Sequence, residues 1–299
     1  MMLKNLNPYT AIIFSTLLWG TWWYPLRLLN QYAENNAIPL TLCYALGGII
    51  LLIVSFKNLN ILSKKNIYLT LLAGVFGGTA MGFYNEGMFR GNVGRVLIFF
   101  YLTVVWSTII EIYFLNKRLT IYRGLSIGAG FCGLFIITGI DQGSFLPSSL
   151  ADLFGILSGV AWSLCATFLR INKELDINFA TSMCILFGGL FVLFATIFPS
   201  GQTITGFNFE ILSQTYILML IFSFIWLVPA YWLICMGQDQ IDPGIASILM
   251  MFEVVIGIVS AYFLANELIT IRELIGGLFV LSAPLIELQS SKNINKSNS

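Results

Sequence analysis

Five ionisable side chains interrupt long apolar stretches of this 299-residue sequence: Glu86, Arg90, Arg95, Glu111 and Glu253. A charged group surrounded by hydrocarbon costs roughly 2.5–3.5 kcal/mol on insertion scales, so each of the five calls for a partner or a task. The chain has no histidine, which excludes histidine metal sites, serine–histidine catalysis and histidine proton relays. Carboxylates and guanidinium groups therefore carry any charge-based chemistry.

Glu86 and Arg90 are four residues apart, so on a helix they share a face and can pair. Arg95 follows after a short turn, which leaves two arginines near one glutamate. In one interpretation these residues form a structural ion pair, with Arg95 also satisfied by Glu86. In the other, a substrate carboxylate or phosphate competes for Arg90 or Arg95, because a planar guanidinium suits such anions.

Glu253 lies about three turns inside an apolar stretch and follows Met250, Met251 and Phe252. A buried carboxylate without a fixed partner can cycle between charged and neutral forms, as proton coupling or recognition of a cationic amine requires. The alternative is a buried structural hydrogen bond. We take Glu86 and Glu253 as the candidate coupling residues.

Glu111 lies near the basic end of its apolar run, six residues before the pair Lys117-Arg118. A contact with one of these two long side chains is the simpler interpretation for this glutamate.

Aromatic side chains are the other resource for binding. Trp19 and Trp23 would share one face of a helix, and they could line a cavity together with Trp162, Tyr101 and Trp106. Such rings hold an aromatic group by stacking or an amine by cation–π contact. The alternative is that they lie in the belt of Trp and Tyr residues at a membrane surface.

The surroundings of these residues are hydrophobic throughout. Only 10% of the chain is charged, against roughly 25% in soluble domains. Ten apolar runs have the length of about 20 residues that crosses a bilayer. They cover about Tyr9–Leu29, Pro39–Phe56, Ile67–Phe89, Val93–Leu115, Ile121–Ile140, Leu150–Leu169, Phe179–Phe198, Gln214–Met236, Gly244–Ala265 and Ile271–Leu288. The predicted fold class is an all-α integral membrane protein with ten transmembrane helices.

The composition gives no evidence that the protein binds nucleic acid, a metal or a cofactor. The net charge is +1 and no basic patch is present, so nucleic acid is not expected. The five cysteines occur singly and form no C-x-x-C pair, so no metal or cofactor is expected. The expected partners are a small-molecule substrate, the lipid bilayer and a coupled proton. Gly124 and Gly128 could mark helix packing within one subunit or a seam between two copies, so a monomer and a homodimer both stay open.

The basic residues predict an orientation. With a cytoplasmic N-terminus, eleven of the fifteen lie on the cytoplasmic side, and only Arg27, Arg90, Arg95 and Arg272 lie outside. The eleven are Lys4, Lys57, Lys64, Lys65, Lys117, Arg118, Arg123, Arg170, Lys173, Lys292 and Lys296. We therefore expect a bacterial inner-membrane protein with both termini in the cytoplasm.

The two halves of the chain resemble each other. Residues 19–27, WGTWWYPLR, match 162–170, WSLCATFLR, and residues 114–120, FLNKRLT, match 264–270, LANELIT. Five helices in each copy would place the second copy upside down, and the exchange of Lys117 for Glu267 fits that inversion. The sequence thus predicts two inverted five-helix repeats, at residues 9–140 and 150–288, followed by a disordered cytoplasmic tail at 289–299.

The chain also resembles EamA-type members of the drug/metabolite transporter superfamily. The resemblance rests on LLWGT at Leu17–Thr21, PGIAS with a glutamate six residues later at Pro243–Glu253, and NELIT at Asn266–Thr270 followed by Gly276-Gly277. Val104 and Val254 stand where the family often has proline, and Lys117 stands where it usually has glutamate. The resemblance implies a transporter with two five-helix repeats, and it leaves the substrate open.

The function expected from these features is secondary active transport by alternating access, with proton coupling as an open option. The substrate we expect is an amino acid or related zwitterion, with its carboxylate on Arg90 or Arg95 and its amine on Glu253. One alternative is a quaternary amine or cationic drug held by the aromatic residues and Glu253. A non-transporting scaffold or receptor is another. An intramembrane enzyme acting on lipid-linked substrates is disfavoured, because the catalytic residue clusters that it needs are lacking.

Overall fold

A computed structural model describes residues 6–33, 37–59, 62–91, 93–138, 146–197, 204, 208–266 and 268–297. These residues form α-helices with one π-helical turn at Phe222–Leu227. The α-helices are α1 (Pro8–Gly20), α2 (Trp23–Ala33), α3 (Ala37–Leu59), α4 (Lys64–Arg90), α5 (Val93–Tyr101), α6 (Thr103–Phe114), α7 (Ile121–Thr138), α8 (Leu150–Ile171), α9 (Ile177–Ala195), α10 (Phe209–Ile221), α11 (Val228–Gln240), α12 (Pro243–Met250), α13 (Phe252–Ala265) and α14 (Ile271–Ser297).

Within the described residues, eight helical segments, from Ala37–Leu59 to Pro243–Ala265, are long and apolar enough to cross a membrane. The two other predicted spans are helical as well: the pair α1–α2, which is broken at Thr21-Trp22, and α14. The protein is therefore an all-helical, multi-pass membrane protein, as predicted. Helix α14 continues to Ser297, and the disordered tail at 289–299 stays a prediction. A helix that is already nucleated extends at one hydrogen bond per residue, even through polar sequence.

Two structural features recur at matching positions in the two halves. Asn116 and Asn266, which the sequence alignment pairs, are the non-glycine residues with positive φ in the described chain, at 51° and 56°. Asn tolerates this left-handed conformation better than most residues and ends helices in it. Glu267, which carried the charge comparison with Lys117, lies outside the described residues.

The second recurring feature is a helix break. One predicted span is interrupted at Leu102, between α5 and α6, and its repeat partner is interrupted at Met251, between α12 and α13. The number of residues between each break and the asparagine that follows it, Asn116 or Asn266, is the same in the two repeats to within one residue. Paired discontinuous helices are typical of transporters built from repeats, where they border the binding site.

The helix packing has the same two-fold pattern. Helices α7 and α14, which are equivalent in the two repeats, pack against each other, and so do the equivalent helices α3 and α9. The contact of α1 with α11 has its counterpart in the contact of α8 with α4. In each of these contacts a helix of the first half packs against a helix of the second half. The interface between the two halves therefore lies at the centre of the bundle.

Glycines set the distance between α7 and α14. A Cβ atom on Gly133 would lie 2.5 Å from the carbonyl oxygen of Gly276, and one on Gly276 would lie 2.6 Å from that of Gly133. Gly124 and Gly128, on the same α7, have no described heavy atom within 4 Å of the equivalent position. Glycine is therefore required at positions 133 and 276 by the close packing of α7 and α14. The contact between two copies of the chain at Gly124 and Gly128 stays a prediction.

We expect Gly133→Ala to destabilise the protein, because the methyl group would force α7 and α14 apart at a cost of about 1–3 kcal/mol. Gly128→Ala is the matched control, since it lies on the same helix in open space and should stabilise by up to about 1 kcal/mol through helix propensity alone. The measurement is the apparent Tm of each purified variant in detergent. Equal Tm values for the two variants would contradict the close crossing.

Candidate functional site

The two helix breaks meet at the interface of the repeats. The hydroxyl of Tyr101, the last residue of α5, donates a hydrogen bond of 3.3 Å to the carbonyl oxygen of Met250, the last residue of α12. A carbonyl at a break is not used by its own helix, so it is free to accept such a bond. The predicted binding residue Tyr101 thus joins the two repeats at their breaks.

Glu253 lies in the first turn of α13, directly after the second break. Its carboxylate is next to the Tyr101 hydroxyl, and Tyr84 of α4 is a second phenol near it. None of the ion pairs formed by the described residues includes Glu253. The structure thus places a carboxylate among aromatic hydroxyls at the centre of the bundle, with no basic side chain bound to it in that part of the chain.

The break between α1 and α2 separates two predicted cavity residues. Trp19 stacks on Trp22, with ring centroids 4.8 Å apart, and its ring meets Tyr231 edge-on at 5.1 Å. Trp23 instead donates a hydrogen bond of 2.9 Å to the Ser260 hydroxyl. The expectation that Trp19 and Trp23 share one helix face is therefore wrong, because the helix is interrupted between them.

Several buried polar atoms near this centre have no hydrogen-bond partner among the described residues. Natural proteins rarely leave such atoms unpaired, so each of them needs an explanation. They include the indole nitrogens of Trp19, Trp106 and Trp162.

The Glu86–Arg90 pair is formed as the sequence predicted. The Nη2 atom of Arg90 lies 2.8 Å from Glu86 Oε2, and both side chains are largely buried. The guanidinium also lies over the Phe154 ring, 5.7 Å from its centroid. This geometry matches the structural interpretation of the pair.

Arg95 has a partner that the sequence analysis missed. It binds both carboxylate oxygens of Asp152, at 3.1 Å through Nε and 2.7 Å through Nη2, and not Glu86. Asp152 is almost fully buried in the first turn of α8, where it also accepts from the backbone of Ser148. The bidentate pair joins the first repeat to the second.

A second charged cluster lies at the opposite end of the bundle. Arg123 of α7 pairs with Glu111 of α6 at 3.0 Å and with Glu287 of α14 at 2.9 Å. Glu111 also accepts a hydrogen bond from the backbone N–H of Gly244, in the first turn of α12. The partner of Glu111 is therefore Arg123, which corrects the expectation of Lys117 or Arg118.

Lys117 and Arg170 both bind Asp242, at 2.7 Å and 3.1 Å, and so connect α8 to the start of α12. Burial alone would raise the pKa of Asp242, but the Lys117 and Arg170 contacts outweigh it and lower the pKa below its usual value. Asp242 is therefore ionised at neutral pH, and its stabilising effect is lost only as acid brings the pH down through that lowered pKa. A cavity of about 150 Å³ lies beside Lys117, Arg123 and Glu111.

Three basic residues lie close together at this end of the bundle. Lys117 and Arg170 share Asp242, and Lys117 and Arg123 line the same cavity, whereas Arg95 pairs with Asp152 elsewhere in the bundle. The cytoplasmic placement of this end stays a prediction. We call the residues Glu111, Lys117, Arg123, Arg170, Asp242 and Glu287 the basal ion network. It ties helices of the first and second repeats together at one end.

Comparison with known proteins decides the class. The model of the EamA-like transporter family matches the chain twice, over residues 6–139 and 149–286. The chain belongs to the EamA-like transporter family. These two matches together cover nearly the whole chain, one for each half. The protein is therefore a membrane transporter of the drug/metabolite type.

Two individual proteins are similar to this EamA-like chain. "Uncharacterized transporter YoaV" of Bacillus subtilis (strain 168) is 24% identical over 282 residues, which is 90% of this chain and 92% of that protein. A solved crystal structure superposes with a TM-score of 0.72 at 13% identity, covering 96% of this chain and 98% of the other. The second likeness concerns the fold alone.

The structure brings part of the predicted site together. Tyr101 and Glu253 meet at the helix breaks, and Trp19 lies near Tyr231. Arg90, Arg95 and Trp23 instead make the contacts described above. The sequence analysis missed Asp152 altogether. The Ser149-x-x-Asp152 spacing at the start of a helix was a signal for Asp152, since acidic residues recur there as capping groups.

Proposed function

We propose that this EamA-like transporter carries small metabolites with a protonated amine, and that Glu253 receives the amine. The observation that carries the proposal is the position of Glu253 at the joint of two broken helices, beside Tyr84 and Tyr101 and outside the ion pairs of the described chain. A carboxylate among aromatic rings suits an ammonium group, through charge and cation–π attraction.

Alternating access is the second part of the proposal. Rocking of the two repeats would expose Glu253 to each side of the membrane in turn. The basal ion network would hold its own end closed, because it connects α6, α7 and α8 with α12 and α14. The proposed location is the bacterial inner membrane with both termini cytoplasmic, and the proposed assembly is a monomer or a homodimer.

Two related functions compete with amine transport at this site. Glu253 could carry a coupled proton, since a carboxylate that cycles between two forms suits that task as well. Glu86, the other predicted coupling residue, is committed to Arg90 in this conformation, which favours Glu253. We propose transport and not catalysis.

The test is uptake by purified protein in proteoliposomes. We expect labelled phenethylamine to accumulate in vesicles preloaded with the unlabelled compound, at a rate at least tenfold above that of protein-free vesicles. The uncharged analogue 2-phenylethanol should not compete, because it has no ammonium group for Glu253. Absence of exchange with a panel of primary and quaternary amines would refute the proposal.

A further inference from the structure

Four buried hydroxyl groups form a continuous hydrogen-bonded chain inside the apolar bundle. The Thr103 hydroxyl lies 2.9 Å from that of Ser163. The Ser107 hydroxyl lies 3.1 Å from that of Ser163 and 3.1 Å from that of Ser247. All four side chains are fully buried. We call these four residues the hydroxyl chain. It joins α6 of the first repeat to α8 and α12 of the second.

The hydroxyl chain follows one face of α6. Thr103, Ser107 and Glu111 occur at every fourth position, so their side chains lie on the same face in successive helical turns. Thr103 is the first residue of α6, directly after the break at Leu102. Glu111 belongs to the basal ion network. This polar face therefore extends from the helix break to the basal end of the bundle.

Linked hydroxyl groups have the chemistry that a proton path requires. A hydroxyl oxygen donates one hydrogen bond and accepts others, so it can receive a proton and pass on its own without keeping a charge. In the Thr103–Ser163 and Ser107–Ser247 contacts either oxygen can be the donor. In the third contact Ser107 donates to Ser163, and rotation of the hydroxyls reverses that direction. The chain can therefore pass a proton either way.

The central end of the hydroxyl chain lies at the first helix break. Thr103 and Tyr101 stand on either side of Leu102, and the Tyr101 hydroxyl is next to the Glu253 carboxylate. A change in the angle between α5 and α6 would change the distance from this phenol to the chain. A path that stayed continuous would dissipate a proton gradient, so a coupled transporter needs a joint that opens and closes. The break at Leu102 can supply this joint.

The basal end of the hydroxyl chain lies beside carboxylates that border a cavity. Ser247 is one turn from Gly244 on α12, and the Gly244 N–H binds Glu111. Glu111 and Glu287 share the guanidinium of Arg123, and both line the cavity of about 150 Å³. The Oε2 atom of Glu287 is buried and has no hydrogen-bond partner among the described residues. This carboxylate oxygen can accept a proton at the edge of the cavity.

Building on the proposed function in its proton-coupled form, we propose that the hydroxyl chain conducts the coupled proton between Glu253 and the basal cavity. The proton leaves the Glu253 carboxyl group, each hydroxyl accepts one proton and releases its own, and the carboxylates at the cavity take up the last. Direct contact between the oxygens at 2.9–3.1 Å leaves no room for a metal ion between them. The ion that this path carries is therefore a proton. Relays of linked polar groups serve this purpose in membrane pumps and transporters.

The experiment separates proton movement from amine binding. Exchange of labelled for unlabelled phenethylamine is measured in proteoliposomes, together with uptake driven by a pH gradient and the proton movement that a pH-sensitive dye inside the vesicles reports. Ser107→Ala removes an inner hydroxyl of the chain. We expect it to lose at least tenfold in gradient-driven uptake and in proton movement, while exchange stays within twofold of wild type. Ser107→Thr keeps a hydroxyl and should restore gradient-driven uptake.

Two further variants test whether the effect belongs to the hydroxyl chain. Ser182→Ala is the matched control, because the Ser182 hydroxyl is also fully buried but donates its hydrogen bond of 2.8 Å to the Gly48 carbonyl, outside the chain. It should keep both activities within twofold of wild type. Thr103→Val keeps the branched shape of the side chain and removes the hydroxyl. It should show the same selective loss as Ser107→Ala, and it gives an independent answer should that variant fail to fold.

The remaining outcomes are also decisive. Unchanged gradient-driven uptake in Ser107→Ala and Thr103→Val, or an equal loss of uptake and exchange, would make the four hydroxyls structural and overturn the inference. A selective loss in Ser182→Ala as well would overturn it too. Wild-type exchange of phenethylamine without gradient-driven uptake or proton movement would overturn the inference and leave amine transport standing. Absence of wild-type exchange with the whole amine panel would refute the proposed function itself.

Discussion

Replacement of Glu253 by Gln is expected to reduce amine transport at least 100-fold in a protein that still folds. Gln keeps the size of the side chain but removes the negative charge. The ammonium group of the substrate would then be desolvated without a counter-ion, and loss of such a charge pair costs about 2–5 kcal/mol. Every 1.4 kcal/mol corresponds to about tenfold in affinity.

The same variant separates amine binding from proton coupling. Exchange between labelled and unlabelled substrate needs binding but no net proton movement, whereas uptake driven by a pH gradient needs both. Loss of both activities in Glu253→Gln indicates amine binding, and loss of gradient-driven uptake alone indicates coupling. Glu210→Gln, exposed in the first turn of α10, is the matched control. Full retention of both activities in Glu253→Gln would remove Glu253 from the mechanism.

The helices and their repeat could be predicted because the signals are local. Apolar runs of membrane length define the spans, and each copy of the turn with Asn116 or Asn266 lies within a few residues of its own helix end. Glu253 could be found for the same reason, since one carboxylate in an apolar run stands out whatever lies opposite it. The break at Leu102 has no comparable signal, because no proline or glycine marks it.

The partners of the charged residues could not be predicted from spacing. Glu86 and Arg90 are one helical turn apart, so helix geometry alone pairs them. Arg95 and Asp152 are far apart in the chain and meet only because α5 packs on α8.

The basal ion network leads to the second large effect. Arg123 is the shared cation between Glu111 and Glu287, and all three side chains are nearly buried. We expect Arg123→Gln to destabilise the protein by about 3–5 kcal/mol, because two buried carboxylates lose their counter-ion. For a chain of this size the loss lowers the apparent Tm by on the order of 10 °C. Arg118→Gln, at an exposed neighbouring position, is the control and should have little effect.

A triple variant distinguishes the charge imbalance from lost packing. In Glu111→Gln/Arg123→Gln/Glu287→Gln no charge remains unpaired, and the amide oxygen introduced at position 111 could still accept from the Gly244 N–H, so most of the stability should return. A second measurement reports how accessible the cavity is to a reagent from solution. A cysteine at Thr108, which borders the cavity, should react faster with a small thiol reagent in the triple variant, measured without the exposed Cys132. If stability is restored and the reactivity of the cysteine is unchanged, the basal ion network only stabilises the fold. If stability is restored and the cysteine reacts faster, the network also holds this end of the transporter closed.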